Sequence, residues 1–212
     1  MASVVRTSMT RFDLPKLIDA MGIKTGVEVG THCGWFSYYL LKHSAMNRLW
    51  SVDAWGPRME GAKEHAHELL EQFGSRSEIV SMPSVSAAKH LSDLGIRLGF
   101  VYIDANHRAK CVRQDIEAWL PLADEVCIFG GHDYVDVPGC SVIPAVNVLM
   151  EREDATIYLT KERWASWFVL WSGYGSNAVD AKRSAGPLSG AWLSARGRSR
   201  RVVRRLLRGN AE

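Results

Sequence analysis

A chain of 212 residues, 47% hydrophobic and 23% charged, has the make-up of one soluble globular domain with enough apolar residues for a full core. No stretch reaches the roughly 18 uninterrupted apolar residues of a membrane span; the N-terminus MASVVRTSMTRFDLPKL lacks the apolar run of a secretory signal, so a cytoplasmic protein is expected. The four cysteines form no CxxC pair, which argues against a disulfide framework or a zinc site, and the formal charge of +3 is uneven: from Asn177 onward nine Lys and Arg face two acids, a net +7, leaving the rest at −4.

In chain order, Ser8 or Thr10 can cap a short helix from Leu14 to Met21, with Pro15 in its first turn and Gly22 as its stop. A strand from Thr25 to Val29 runs into Gly30 and Gly34, which bracket Thr31, His32 and Cys33; a helix from Trp35 to His43 follows. Such a turn lies at the carboxyl end of a first parallel strand, where backbone N–H groups and a helix N-terminus can approach a ligand. The spacing is Glu28-x-Gly30-x-x-x-Gly34, neither the G-x-G-x-x-G of dinucleotide binding nor the lysine-bearing phosphate loop.

The next strand, RLWSVDAW, ends on Asp53, followed by Ala54. An acid about 20 residues past the glycine turn can accept hydrogen bonds from ribose hydroxyls. A helix is expected over Met59 to Phe73, where His65 and His67 face different ways and read as solvated. A third strand from Glu78 to Met82 leads into Pro83 and Ser84. The fourth, GFVYID, ends on Asp104, with His107 three residues on, and a long helix follows with Val112, Ile116, Trp119 and Leu120 on its apolar face. Asp115 in that helix reads as an orienting or packing residue. A fifth strand from Glu125 to Phe129 is succeeded by Gly130, Gly131, His132, Asp133 and Tyr134. After an amphipathic helix from Cys140 to Met150, ATIYLT and SWFVLW form an antiparallel hairpin, with Trp164, Trp167 and Trp171 packing or walling a pocket.

These three stretches, VEVGTHCG, IDANH followed by a helix, and GGHDY, resemble in order the class I S-adenosylmethionine (SAM) dependent methyltransferases, specifically the small O-methyltransferase branch with the macrocin and mycinamicin sugar O-methyltransferases and the cephalosporin-hydroxylase-like proteins. Catechol and caffeoyl-CoA O-methyltransferases are more distantly similar. The resemblance covers about Leu14 to Trp171. It implies a Rossmann-like α/β fold with a seven-stranded, mostly parallel sheet in the order 3-2-1-4-5-7-6, and SAM held by Glu28, Gly30, Thr31, Gly34, Asp53, Ala54, Ser84 and Asp104, with Ser84 and Trp55 near the adenine. It also implies a divalent cation on Asp104, His132 and Asp133.

His132 stands where relatives most often have an oxygen ligand. An imidazole suits manganese or iron better than magnesium, and the other reading is that His132 is no ligand. The reaction expected is methyl transfer to a hydroxyl of a small molecule, a sugar or natural product, with Asp104, His132 and His107 as the catalytic group. His107 would be the base, since an ordinary imidazole titrates near neutral pH; the alternative is that it caps its helix. The rival readings are a catalytically silent cofactor-binding module and a nicotinamide-dependent oxidoreductase, the latter opposed by the missing third glycine. The methyltransferase domain is expected over residues 1–172. Residues 173–212 read as a Gly/Ser/Ala linker and a basic amphipathic tail, SRRVVRRLLRGNAE, suited to an anionic surface. Nucleic acid has no other support in the chain, and an oligomer is compatible with it.

Overall fold

Alternation decides which face of the sheet each strand residue takes. Val27, Val29, Trp50, Val52, Val101, Ile103, Cys127, Phe129, Trp167 and Val169 enter one apolar cluster. Leu49, Phe100, Tyr102, Ile128, Phe168 and Leu170 enter another on the opposite face. A sheet that is apolar on both sides needs helices on both sides. The computed structural model, which describes residues 3–152, 155–171, 203 and 205–207, has that three-layer arrangement.

Eight strands form one sheet: β1 (Ser3–Arg6), β2 (Thr25–Val29), β3 (Arg48–Asp53), β4 (Ser77–Ser81), β5 (Leu98–Ile103), β6 (Ala123–Gly131), β7 (Thr156–Leu159) and β8 (Trp167–Trp171). Their order is β1-β7-β8-β6-β5-β2-β3-β4. All pairs are parallel except those of β8 with β6 and β7. Without β1 this is the expected seven-stranded order. The added strand is short and lies at the edge, with mostly exposed side chains, so no alternating apolar pattern announced it.

Six helices cover the sheet: α1 (Leu14–Met21), α2 (Trp35–His43), α3 (Glu60–Leu70), α4 (Ser84–Asp93), α5 (Ala109–Trp119) and α6 (Val142–Arg152). The first three pack on the Phe100 face and the last three on the Val101 face. In α1 the positions Leu14, Leu17, Ile18 and Met21 make one apolar stripe, all buried. Burying each contributes about 1.5–3 kcal/mol. The helix closes on Gly22 in the left-handed conformation, whose N–H bonds to the carbonyl of Asp19. Thr10 caps a 3-10 turn (Arg11–Asp13) that leads into α1; its N–H and hydroxyl both donate to Asp13 Oδ2, at 3.0 and 2.9 Å.

The expected linker lies outside the described residues, apart from four positions near the end of the tail. There Val203 is helical and buried among the α1 and α2 side chains, with Leu206 and Leu207 packed against the same cluster and Arg205 exposed. No described helix is long and apolar enough to cross a membrane.

Candidate active site

Strand order reverses direction between β5 and β2, and in an open parallel sheet the crevice forms at the carboxyl ends on either side of that point. Here the two backbones nearly touch: the Asp104 N–H donates to the Val29 carbonyl at 2.7 Å. A Cβ on Gly30 would lie 2.1 Å from the Asp104 carbonyl oxygen, and φ at Gly30 is +94°. Only glycine fits on both counts. The chain then turns out, with the Gly30 N–H donating to Val52 O at 2.8 Å.

A cleft of about 790 Å³ opens above this crossing, walled by the tips of β2, β3, β4 and β5 and by the inner face of α5. Gly30, Asp53, Ala54, Ser84, Asp104 and His107 line it, together with His32, Trp55, Met59, Cys111, Gln114 and Asp115. Glu28, Thr31 and Gly34 stand behind the wall. Thr31 is 3% exposed, its N–H turned to Val52 O, and Gly34 is the left-handed cap of α2, facing Ala66 of α3.

Glu28 is 2% exposed on the α2 side of the sheet. The Ser37 hydroxyl donates to its carboxylate, and Ser37 Oγ lies 2.7 Å from Ser51 Oγ. Burial, against the pull of Ser37, pushes the carboxyl up to about 8.

Asp53 holds two turns at once. One oxygen accepts the His32 N–H at 2.8 Å and the other the Trp55 N–H at 2.9 Å. A carboxylate has about four acceptor positions, so two remain for hydroxyls in the cleft. The Trp55 indole N–H donates to His32 O at 2.7 Å, which closes the β2 and β3 tips onto each other. His32, Trp55 and Asp133 have positive φ of 52°, 37° and 58°, an unfavourable region for non-glycine residues that gathers here at the mouth of the sheet. His65 is not simply solvated: its Nδ1 lies 2.9 Å from Cys33 O and its ring 5.4 Å from that of Trp35, tying α3 to the glycine turn.

Beside the cleft, the tips of β5 and β6 form an acid–imidazole group. Asp133 Oδ2 lies 2.8 Å from His107 Nε2 and Asp133 Oδ1 lies 2.9 Å from His132 Nδ1, while each ring is 3.8 Å from Asp104. Ligand-type atoms of Asp104, His107 and Asp133 all lie within 4.8 Å of one another. His107 Nε2 is buried yet makes no aligned hydrogen bond, so its close approach to Asp133 is electrostatic contact only. The Asp104 carboxylate and then Asp133 raise the His107 pKa against the opposing effect of burial. Burial alone would raise Asp133, but its contact with His132, with the charges of His107 and Arg11, lowers it. Two carboxylates and an orphaned ring nitrogen facing one another fit a divalent first-row transition metal, such as manganese or iron, better than magnesium.

Gly130 and Gly131 are the last residues of β6, extending it two residues beyond the expected end. A Cβ on Gly131 would sit 2.3 Å from Ile103 O, and the pair lets β6 squeeze between β5 and β8 and deliver His132 and Asp133 to the mouth. Trp167 is buried in the core, whereas Trp164 is 45% exposed on the hairpin connection.

A doubly wound sheet with an acid-tipped β3 and a cleft at the switch point defines an α/β protein of the Rossmann-like class. A methyltransferase-domain family model matches residues 27–134, just over half the chain, and the chain belongs to that family. No curated protein matches it in sequence. Among solved structures it is similar to an O-methyltransferase from Bacillus cereus in complex with S-adenosylhomocysteine (SAH), at 16% identity over 74% of this chain and 78% of that one, with a TM-score of 0.59. It is also similar to the O-methyltransferase TomG from Streptomyces achromogenes, which is involved in tomaymycin synthesis and was solved with SAM, at 16% identity, 74% and 76% coverage and a TM-score of 0.57. Cofactor-bound Rv0187 from MTB matches at 20% identity, 74% and 76% coverage and a TM-score of 0.58. At these identities the likeness is one of fold.

Proposed function

We propose that the protein transfers the methyl group of SAM to a hydroxyl of a small molecule. One observation carries this most: the tips of four adjacent parallel strands meet in one cleft, with the two spare acceptor positions of Asp53 on one side of Gly30 and the Asp104 carboxylate on the other, and Asp133 stands beside the cleft next to Asp104. That placement of acceptors suits a nucleoside joined to a charged reactive end. The O-methyltransferases of like fold, solved with SAM or SAH, support the same donor.

When bound, SAM supplies a methyl group already activated by its sulfonium, so the chain's own work is to align an oxygen and take its proton. A divalent cation, when bound, lowers the pKa of an alcohol that it coordinates. Asp104, His107 and Asp133 would hold it. This assigns His107, expected from the sequence to be the base, to the ligand set, because the unpartnered Nε2 cannot serve both roles at once. His132, expected as a ligand, would orient Asp133 through Nδ1. Asp53 would fix the ribose, and Trp55 shields the turn beneath it.

The test is isothermal titration with SAH followed by methyl-transfer assays on glycosides and phenols with added manganese. Binding of SAH with metal-dependent turnover on a hydroxyl supports the proposal. SAH binding with no turnover on any such acceptor favours a silent module.

A further inference from the structure

We propose that Arg11 binds an anionic group on the methyl acceptor, so that the substrates are hydroxyl compounds carrying a carboxylate or a phosphate. This rests on the donor-binding reading above and narrows the acceptor to a charged class.

The geometry of transfer says where the acceptor stands. The donor cleft is walled by β2, β3, β4, β5 and α5, and nothing from β6, β8 or the chain before β2 lines it. An oxygen attacks a methyl group from the side opposite its sulfur, so the acceptor reaches Asp104 from the other side. Two connections at the same end of the sheet build that side: residues 7–13, between β1 and α1, and residues 160–166, between β7 and β8. They are laced to each other and to the acid–imidazole group. The Lys161 N–H donates to Met9 O at 2.8 Å, the Arg11 N–H to Glu162 Oε1 at 2.5 Å, and the N–H of Tyr134, next to Asp133, to Ala165 O at 2.9 Å.

Within this frame the half-buried Arg11 carries an unspent charge. Its guanidinium carbon lies 5.3 Å from the ring centres of both Phe12 and Phe36. The Phe36 ring is 4.6 Å from that of Tyr102, two residues before Asp104 on the β5 tip, and the Tyr102 hydroxyl lies 2.7 Å from Ser166 Oγ. The two rings orient the cation without neutralising it. Among the described residues the Arg11 side chain makes no hydrogen bond or ion pair, yet its charge is felt at Asp133 and Glu28. A planar fork of five N–H donors suits a carboxylate or phosphate held by two bonds at once. Phe12 and Trp164, on the same two connections, are 46% and 45% exposed and offer apolar faces to the body of such a molecule.

The experiment is isothermal titration of the full chain, saturated with SAH, with charged and neutral counterparts: 3,4-dihydroxybenzoate against 3,4-dihydroxybenzyl alcohol, and glucuronate and glucose 6-phosphate each against glucose. In at least one comparison wild type should bind the anion about tenfold or more tightly than its neutral partner. Arg11→Gln should bring that ratio to within about threefold, and Arg11→Lys, a point charge without the fork, should keep only part of it. An arginine that serves only to steady Asp133 would, when replaced, weaken both members alike and keep the ratio. That result overturns the assignment, as does equal binding in every comparison by wild type, or failure of the SAH-bound chain to take up any of the anions. If neither variant folds, the wild-type ratio and its fall on raising salt from about 0.05 to about 0.5 M decide. Failure to bind SAH removes the donor reading itself, and this inference with it, a result seen before any acceptor is added.

Discussion

The backbone at Gly30 passes so close to that of Asp104 that a single added carbon on Gly30 would sit 2.1 Å from the Asp104 carbonyl oxygen. The main chain thus ties the turn after β2 directly to the tip of β5. Gly30→Ala is expected to destabilise the protein by about 2 kcal/mol or more, through the positive φ and the clash together. Urea unfolding measures this, and a change under about 0.5 kcal/mol would show that the two strand tips are not in contact.

Glu28 gives the protein a pH-dependent stability. Burial holds its carboxyl at about 8 in the folded chain, against an ordinary value of 4.5. Between these values the native state keeps a proton that the unfolded chain has released. The contribution is therefore whole below about pH 4.5 and is lost as pH rises through about 8, at up to about 1.4 kcal/mol per pH unit. Glu28→Gln, neutral at every pH, should flatten the dependence of urea-unfolding free energy between pH 5.5 and 7.5 relative to wild type. Parallel curves would mean that Glu28 is ionised in the fold.

Asp104→Asn and Asp133→Asn should each lower manganese affinity by at least about tenfold and spare SAH affinity, because neither carboxylate is the ribose ligand. Calorimetric titration with the metal and with SAH separates the two effects. Normal metal affinity in both variants would remove the cation from the account.

The two histidines should part company. His107→Asn is expected to lose metal affinity as the Asp variants do, while His132→Asn should keep it within a few fold and lower turnover by misorienting Asp133. If His107→Asn instead keeps full metal affinity and loses only kcat, its ring is the proton acceptor, as the sequence alone suggested.

Much of this was legible before folding. Glycines at 30 and 34 after a β-type run, and acids ending the runs at Asp53 and Asp104, mark strand tips because parallel core strands are uniformly apolar and their ends are not. The edge strand Ser3–Arg6 was hidden because its side chains are mostly exposed and its partner β7 lies over 150 residues away. Long-range placement hid the rest. That Asp115 looks into the cleft depends on how α5 leans on the start of α4, and that His65 grips Cys33 O depends on α3 packing over α2. Glu28 read as a donor contact since it sits one residue inside the turn, but strand parity puts it on the α2 face, away from the cleft. The third metal-type ligand was placed at His132 by resemblance, whereas the loop leading into α5 brings His107 as close to Asp133.

The most direct measurement is calorimetric titration of the full chain with SAH and, separately, with NAD. The account predicts one SAH per chain and no NAD binding, with SAH affinity falling at least about tenfold in Asp53→Ala, where the ribose acceptor is gone. NAD binding, or SAH binding indifferent to Asp53→Ala, would contradict it.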